Sequence, residues 1–333
     1  MGRYAVQYLH NIKQIEKIYV ADVNSLSAKK FASHFDNRVE GLKLDIRDFE
    51  TLKSEMSKVD IVVNTTGPFF LFAEPILKAA IQTNTHYFDI CDDWEPTEKM
   101  LQMNEDAKKA NITAIIGLGA SPGLTNILAH IAISELDEVR KVYTGWDMSA
   151  AKPESESSQS GVSAAMVHGI EQMIGEVKIF KNGNFEMVKP LEEIKVDYPD
   201  IGKRNTYIFG HPEAITFPNN FQDIKESYNL MHGIESSFIT ILKTIRFLIN
   251  MKIITKNFAA RILTWLESLN GPDMVDYKKE NLPSIYGYAE GLKRNKLTSI
   301  GVTIDGDINS FSMGEATSLP VSYTHLTLPT RSE

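Results

Sequence analysis

Asp60-Ile61-Val62-Val63-Asn64-Thr65-Thr66-Gly67-Pro68-Phe69 decides the fold. Its Ile-Val-Val centre lacks polar alternation, as expected of a strand in a parallel sheet covered on both faces. The Gly-Pro turn marks where that strand gives way to a helix. The same exchange of strand for helix recurs on either side. Upstream, Lys17 to Ala21 reads as a strand ending in Asp22, and Ser25 to His34 as a helix capped by Ser25 or Ser27. Leu42-Lys43-Leu44 is a brief strand and Asp45 to Met56 a helix. Downstream, Pro75 to Gln82 is helical, His86 to Ile90 a strand, Thr97 to Ala110 a helix and Ile112 to Ile116 a strand. This succession predicts an α/β chain built on a doubly wound parallel sheet.

The rhythm breaks after Gly117-Leu118-Gly119-Ala120-Ser121-Pro122-Gly123. A helix over Leu124 to Ser134 and a strand over Val139 to Trp146 follow, then the polar stretch Lys152 to Ser160. Val177 to Val188 reads as a hairpin turning on Asn182-Gly183. Four segments are expected: a dinucleotide-binding domain over 1–126, an inserted α+β domain over 127–294, a return to the first domain over 295–321 and a non-native tail over 322–333. Strands are expected at Leu297 to Ile304 and Ser310 to Met313. At the other end, Gly2 lies 20 residues before Asp22 and opens the helix-like run Tyr4 to Leu9. It is read as the last glycine of a phosphate-binding turn whose strand and earlier glycines are missing.

The 333 residues suit two domains, and 43% hydrophobic with 23% charged residues is ordinary for a globular chain. A net charge of -8 disfavours a general nucleic-acid binder. Cys91 is the single cysteine, so no intrachain disulfide forms and a reducing cytoplasm fits. The most apolar stretch, Phe238 to Ile254, is broken by Lys243, Arg246 and Lys252, and reads as an amphipathic helix rather than a membrane span. Basic Lys293-Arg294-Asn295-Lys296 reads as a solvated face. No nucleic-acid or membrane partner is expected.

Ligands of open α/β sheets bind over the carboxyl ends of strands, so the turns beginning at Asn64, Asp89 and Gly117 are expected along one rim. Asp22 is placed to take the ribose hydroxyls of NAD, which favours NAD over NADP; Arg3 could meet a phosphate and keeps NADP open. The cofactor set is Gly2, Asp22, Asp45, Thr65, Thr66, Gly67, Pro68, Phe69 and Asp89. Asp93, in the acidic run Asp89-Ile90-Cys91-Asp92-Asp93, and His211 and Glu213, in His211-Pro212-Glu213, are the candidates for proton transfer. Helix capping for Asp93 and a surface turn for His211-Pro212-Glu213 are the readings to set beside these. Gly123, Thr125 and Asn126 open a helix whose amides and side chains suit a substrate carboxylate. Cys91 has no neighbouring His and reads as a structural thiol, His168 and His232 as packing residues, and no spacing makes a metal site.

Ala21-Asp22, Val62 to Phe69, His86-Tyr87-Phe88-Asp89, Gly117 to Asn126 and His211 to Pro218 together resemble the saccharopine dehydrogenase-like family of saccharopine reductases and lysine 6-dehydrogenases. The resemblance runs from Gly2 to about Val321. It implies a Rossmann domain, an inserted domain carrying substrate contacts and a homodimer surface, and NAD(P)-dependent hydride transfer at a carbon–nitrogen bond of an amino acid or imine. A non-catalytic dinucleotide-binding or regulatory protein of the same fold is the alternative. Saccharopine reductases carry an acidic residue where Ser121 stands, and a Tyr-Cys-Gly-Gly-like turn where this chain has Thr144-Gly145-Trp146-Asp147, which points away from saccharopine itself as substrate.

Overall fold

The computed structural model describes residues 1–148, 164–233, 236–270 and 282–304. The chain divides into two units, one spanning Met1–Gly123 and a second beginning at Leu124. The polar stretch Lys152 to Ser160, the strand expected at Ser310 to Met313 and the expected tail lie outside the described residues.

The first unit runs α1 (Gly2–His10), β1 (Ile18–Asp22), α2 (Ser25–Ala32), β2 (Val39–Lys43), α3 (Phe49–Met56), β3 (Ile61–Asn64), α4 (Phe69–Thr83), β4 (His86–Asp89), α5 (Trp94–Leu101), α6 (Asn104–Lys109) and β5 (Ala114–Ile115). Every strand pairing is parallel: β1 with β2 from Ile18 opposite Val39, β3 with β4 from Ile61 opposite His86, and β4 with β5 from Tyr87 opposite Ala114. The fold class expected from the sequence is therefore present, but the ladder comes in two pieces. Among the described residues β1 and β3 each leave one edge unpaired.

Local chemistry moves several helix ends from their expected places. Asn24, not Ser25 or Ser27, caps α2, its side chain accepting from the amides of Leu26 and Ser27. Asp48 caps α3 and accepts from Thr51 N at 3.2 Å and Thr51 Oγ1 at 2.6 Å, so that helix starts after Asp45 rather than at it. Helix α4 begins six residues before Pro75 and runs through it. An internal proline costs about 3 kcal/mol. Burial of Phe69, Ala73, Ile76, Leu77 and Ala80 against Leu52, Met56, Tyr87 and Met100 supplies the compensating contacts. The single helix expected over Thr97 to Ala110 is two, α5 and α6.

The second unit holds α7 (Leu124–Ser134), β6 (Glu138–Asp147), α8 (Ala164–Gln172), β7 (Val177–Lys181), β8 (Asn184–Val188), β9 (Glu193–Tyr198), β10 (Gly202–Phe209), α9 (Glu213–Asn220), β11 (Glu226–His232), α10 (Ser236–Asn250), α11 (Lys256–Asn270), β12 (Ile285–Lys293) and β13 (Lys296–Thr303). The strands form one mixed sheet in the order β13-β12-β6-β11-β10-β9, with β7 on β11 and β8 on β7. The expected hairpin forms as β7 and β8, Asn182 and Gly183 both taking positive φ, 51° and 78°. Residues 295–303 do not return to the first unit as expected: Arg294 and Asn295, at φ 52° and 60°, fold β13 straight back onto β12. The basic stretch expected as a solvated face is this hairpin turn.

One face of the sheet stacks Tyr143 on its cross-strand neighbours Tyr228 and Tyr288, with ring centroids 5.1 and 5.3 Å apart. The other packs Val142 and Ala289 against Ala129, Ala132 and Ile133 of α7 and Phe217 of α9. Small residues let α7 lie very close to β12. A Cβ on Gly287 would sit 2.0 Å from the amide nitrogen of Ala129, so Gly287→Ala must push the helix off the sheet. Its expected cost is about 1–3 kcal/mol, read as a fall in thermal midpoint. Gly169→Ala in α8, where nothing lies within 4 Å of the added methyl, should be neutral or stabilising by up to about 1 kcal/mol in the same melt.

Candidate functional site

In the first unit the site is organised by a buried carboxylate. Tyr87 and Asp89 lie two apart on β4, so both side chains project from the same face of the strand. Tyr87 Oη donates to Asp89 Oδ2 at 2.7 Å, and Asn64 Nδ2, at the end of the neighbouring β3, donates to Tyr87 Oη at 3.0 Å. Asp89 Oδ1 accepts from the backbone amides of Gly117 at 2.7 Å and Cys91 at 3.1 Å, while its carbonyl accepts from Leu118 N at 2.7 Å. The turns beginning at Asn64, Asp89 and Gly117 are thus joined by hydrogen bonds through one group and do share a rim. Asp89 is fully buried; desolvation pushes its carboxyl up to about 6, against the pull of the Gly117 amide, the Tyr87 hydroxyl and the Cys91 amide.

The other expected cofactor residues fall around this hub unevenly. Asn64 Oδ1 accepts from Thr66 N at 2.9 Å, fixing the turn that leaves Thr66 and Gly67 exposed ahead of Phe69, the first residue of α4. Pro68 is the N-cap of α4 and makes no side-chain capping bond. Gly2, at the start of α1, abuts Thr65: a Cβ there would lie 2.7 Å from Thr65 Oγ1. That close approach fits a glycine which brings a helix start against a phosphate-binding rim. Asp22 is exposed at the end of β1, where Oδ1 accepts from Asn24 N at 2.7 Å. Asp45 instead pairs with Arg47 at 2.6 Å, and the Arg47 side chain and amide hold its carboxyl down to about 2.

Asp93 is the N-cap of α5 without a side-chain capping bond, its carbonyl accepting from Thr97 Oγ1 at 2.8 Å. Cys91 is buried, and desolvation pushes its thiol well up, as a structural thiol requires.

The second unit contains its own polar cluster, and it is not a surface turn. His211 is 6% exposed and Glu213 0%. Glu213 Oε1 accepts from Thr125 Oγ1 at 2.8 Å and Asn229 Nδ2 at 3.1 Å. Asn229 also donates to Thr144 Oγ1 at 3.0 Å and accepts from Trp146 Nε1 at 3.1 Å. His211 stacks on the Trp146 ring at 5.4 Å with only 9° between planes. Thr125 is therefore committed to Glu213, while Asn126 on the next position of α7 is half-buried. Gly123 has φ 120° and closes the tight end of its turn against Gly119.

Thr144, Trp146 and Asn229 were not among the residues expected from the sequence. They meet because β6 and β11 pair in parallel with Thr144 opposite Asn229, a non-local register. Tyr87 had a local signal, its spacing of two from Asp89 on a strand. His232 is buried, its Nε2 3.1 Å from the Pro283 carbonyl, and burial lowers its pKa to about 4.

Residues 1–115 match the family described as the saccharopine dehydrogenase NADP binding domain. The chain is 27% identical over 129 residues to the lipid droplet localized protein of Caenorhabditis elegans, covering 35% of this chain and 30% of that one. It is 26% identical over 145 residues to the NADP(+), L-glutamate-forming saccharopine dehydrogenase of Pyricularia oryzae, covering 43% and 31%. These matches span about a third of each relative's length. The apo saccharopine dehydrogenase (L-Glu forming) of Saccharomyces cerevisiae shares the fold at a TM-score of 0.63 and 14% identity, over 98% of this chain and 88% of that one. The chain thus resembles the saccharopine dehydrogenases, and its first unit is of the nicotinamide-dinucleotide-binding type.

Two substitutions test the hub. Asp89→Ala leaves the Gly117 and Cys91 amides buried without an acceptor and should cost about 3 kcal/mol in urea unfolding. Because the folded carboxyl titrates near 6 and the unfolded one near 3.8, folding favours the protonated form. The contribution of Asp89 is largest below pH 4 and is lost as pH rises through 6, by about 3 kcal/mol in total. Asp89→Asn should flatten that slope in a series of urea midpoints between pH 4 and 7.

Proposed function

We propose that this chain is a nicotinamide-dinucleotide-dependent oxidoreductase that moves hydride at a carbon–nitrogen bond of an amino acid or imine. The observation that carries the proposal is the Asp89 hub, which fixes the Asn64, Asp89 and Gly117 turns on one rim in a unit matching a dinucleotide-binding family. The residues fit the cofactor: Gly2 and Thr65 approach as closely as a phosphate-binding turn needs, and Asp22 presents an exposed carboxylate at a strand end. Gly2, Asp22, Thr65, Thr66 and Gly67 would hold the dinucleotide, which when bound supplies the hydride acceptor or donor. Asp45, tied to Arg47, contributes less. Asp22 favours NAD, whose ribose hydroxyls it can bind, whereas the matched family is named for NADP.

Substrate chemistry is assigned to the second unit. Oxidising an amine removes a proton from nitrogen as hydride leaves carbon, so a base or a proton relay must stand by. Glu213 suits that role: a buried carboxylate held rigidly by Thr125 and Asn229. His211, aligned by Trp146, relays the proton, and Asp93 is retained as a weaker alternative. Thr125 acts here by positioning Glu213 rather than by anchoring a substrate carboxylate, a role left to Asn126 and the backbone at Gly123. A cytoplasmic homodimer acting on a small amino-acid-like molecule completes the proposal. Among the described residues no helix is long and apolar enough to cross a membrane.

The test is NADH and NADPH fluorescence titration together with turnover on a panel of amino acids and 2-oxo acids with ammonia or amines. Dinucleotide binding with turnover is expected, and Glu213→Gln should lower kcat by about 100-fold or more while leaving dinucleotide affinity within about twofold. Binding without turnover would overturn the enzymatic reading, and absence of binding would overturn the cofactor assignment as well.

A further inference from the structure

Helices α10 and α11 form a hairpin whose inner face is ordinary core. Ile239, Leu242 and Ile245 of α10 and Ala259, Ala260 and Leu263 of α11 are buried with Tyr207, Phe209 and Met231. The outer face is not ordinary. Phe247 is 59% exposed, Met251 59%, Ile253 63%, Phe258 52% and Trp265 57%, where a helix facing water normally carries polar side chains. Two of these, Met251 and Ile253, flank Lys252 at the turn between the helices, and Lys252 takes a left-handed φ of 59° that brings the chain round sharply.

The charge along this segment is equally unusual. From Ser236 to Leu266 the sequence contains Lys243, Arg246, Lys252, Lys256 and Arg261 and no Asp or Glu. The chain as a whole carries -8, so its remaining residues carry -13. Exposed Lys256 reaches Glu171 of α8 at 3.3 Å, Arg246 donates to the Pro190 carbonyl and half-buried Lys243 lies over the Tyr207 ring; Lys252 and Arg261 stand exposed among the bulky apolar side chains.

We propose that the outer face of this hairpin docks on an anionic lipid surface, lying in the headgroup layer without crossing it. Apolar and aromatic side chains enter the acyl boundary while Lys and Arg reach lipid phosphates, the combination that holds amphipathic helices at an interface. A second copy of the chain is the wrong occupant. A two-fold contact would set this cationic face against itself, with Glu267 near the end of α11 the one acid in the hairpin against five cations. Each helix is 15 residues, too short to span the hydrocarbon core. The expectation of no membrane partner rested on the lack of a spanning segment, which surface docking does not need.

Co-sedimentation with phosphatidylcholine vesicles, with and without about one third phosphatidylglycerol, tests the proposal. The protein should pellet with the anionic vesicles, weakly or not at all with the neutral ones, and be released by salt. Lys252→Glu with Arg261→Glu, both at exposed positions, should weaken binding by about 30-fold or more. Trp265 emission should shift to the blue on binding, and Trp265→Phe should remove the shift while the protein still pellets. Failure to pellet with anionic vesicles, or equal pelleting of the charge-reversal variant, would overturn it. So would concentration-dependent dimerisation abolished by Phe247→Ser, since a second copy would then cover this face. Dinucleotide binding and turnover do not enter any of these readouts.

Discussion

A carboxylate sealed from water holds the first unit's rim together. Asp89 has no solvent exposure, and its two carboxylate oxygens are satisfied from three segments: Oδ2 by the Tyr87 hydroxyl on its own strand, Oδ1 by the Cys91 amide in the turn that follows and by the Gly117 amide beyond β5. A group of this kind works as a spacer. Moving any of the three turns outward breaks a charge-assisted hydrogen bond in a low-dielectric setting, where loss is expensive. Asn64 extends the chain of bonds to β3 and, through its own Oδ1, sets the Thr65-Thr66-Gly67 turn. The positions of these turns are thus set by side chains buried behind them.

The second unit solves a similar problem with different residues. Glu213 is buried at the start of α9, between a helix that supplies Thr125 and a strand that supplies Asn229. Asn229 in turn ties together Thr144 and Trp146, and Trp146 carries His211 on its ring face. Four hydrogen bonds and a stacked ring leave little freedom to any member of the cluster. Orientation of this order is what a proton-transfer group needs, because its efficiency falls steeply with misplacement. The tyrosines on the opposite face of the sheet, by contrast, stack in a row and stabilise the β11-β6-β12 register.

The outer face of the α10–α11 hairpin shows how little a residue's hydrophobicity says about its place. Ile245 and Phe247 are two positions apart on one helix; the first is in the core and the second is 59% exposed. The amphipathic helix expected over Phe238 to Ile254 ends at Asn250, with Met251 to Ile254 in the turn that follows, and the width of its apolar arc exceeds what the core can cover. Only the packing against β10 and β11 shows which apolar side chains are left over, and that the leftover ones stand among cations.

What the sequence determined by itself was local. The apolar Ile61-Val62-Val63 run, the alternation with helices around it and the Asn182-Gly183 turn depend on backbone preferences and on burial of neighbouring residues, so they are visible in short windows. The glycine at position 2 and the turn from Asn64 to Phe69 are likewise legible in short windows. Tertiary structure decided the rest. Asp89, placed in the cofactor set from its position at a strand end, is a buried brace across three segments; Asp45, from the same set, pairs with Arg47, two residues away. His211-Pro212-Glu213, indistinguishable in sequence from a surface turn, became interior through Thr125, 88 residues before Glu213. β13 stayed with β12 instead of crossing to the first unit. Each of these outcomes turns on which distant segments pair, a matter of loop closure and mutual burial that no window of neighbouring residues contains.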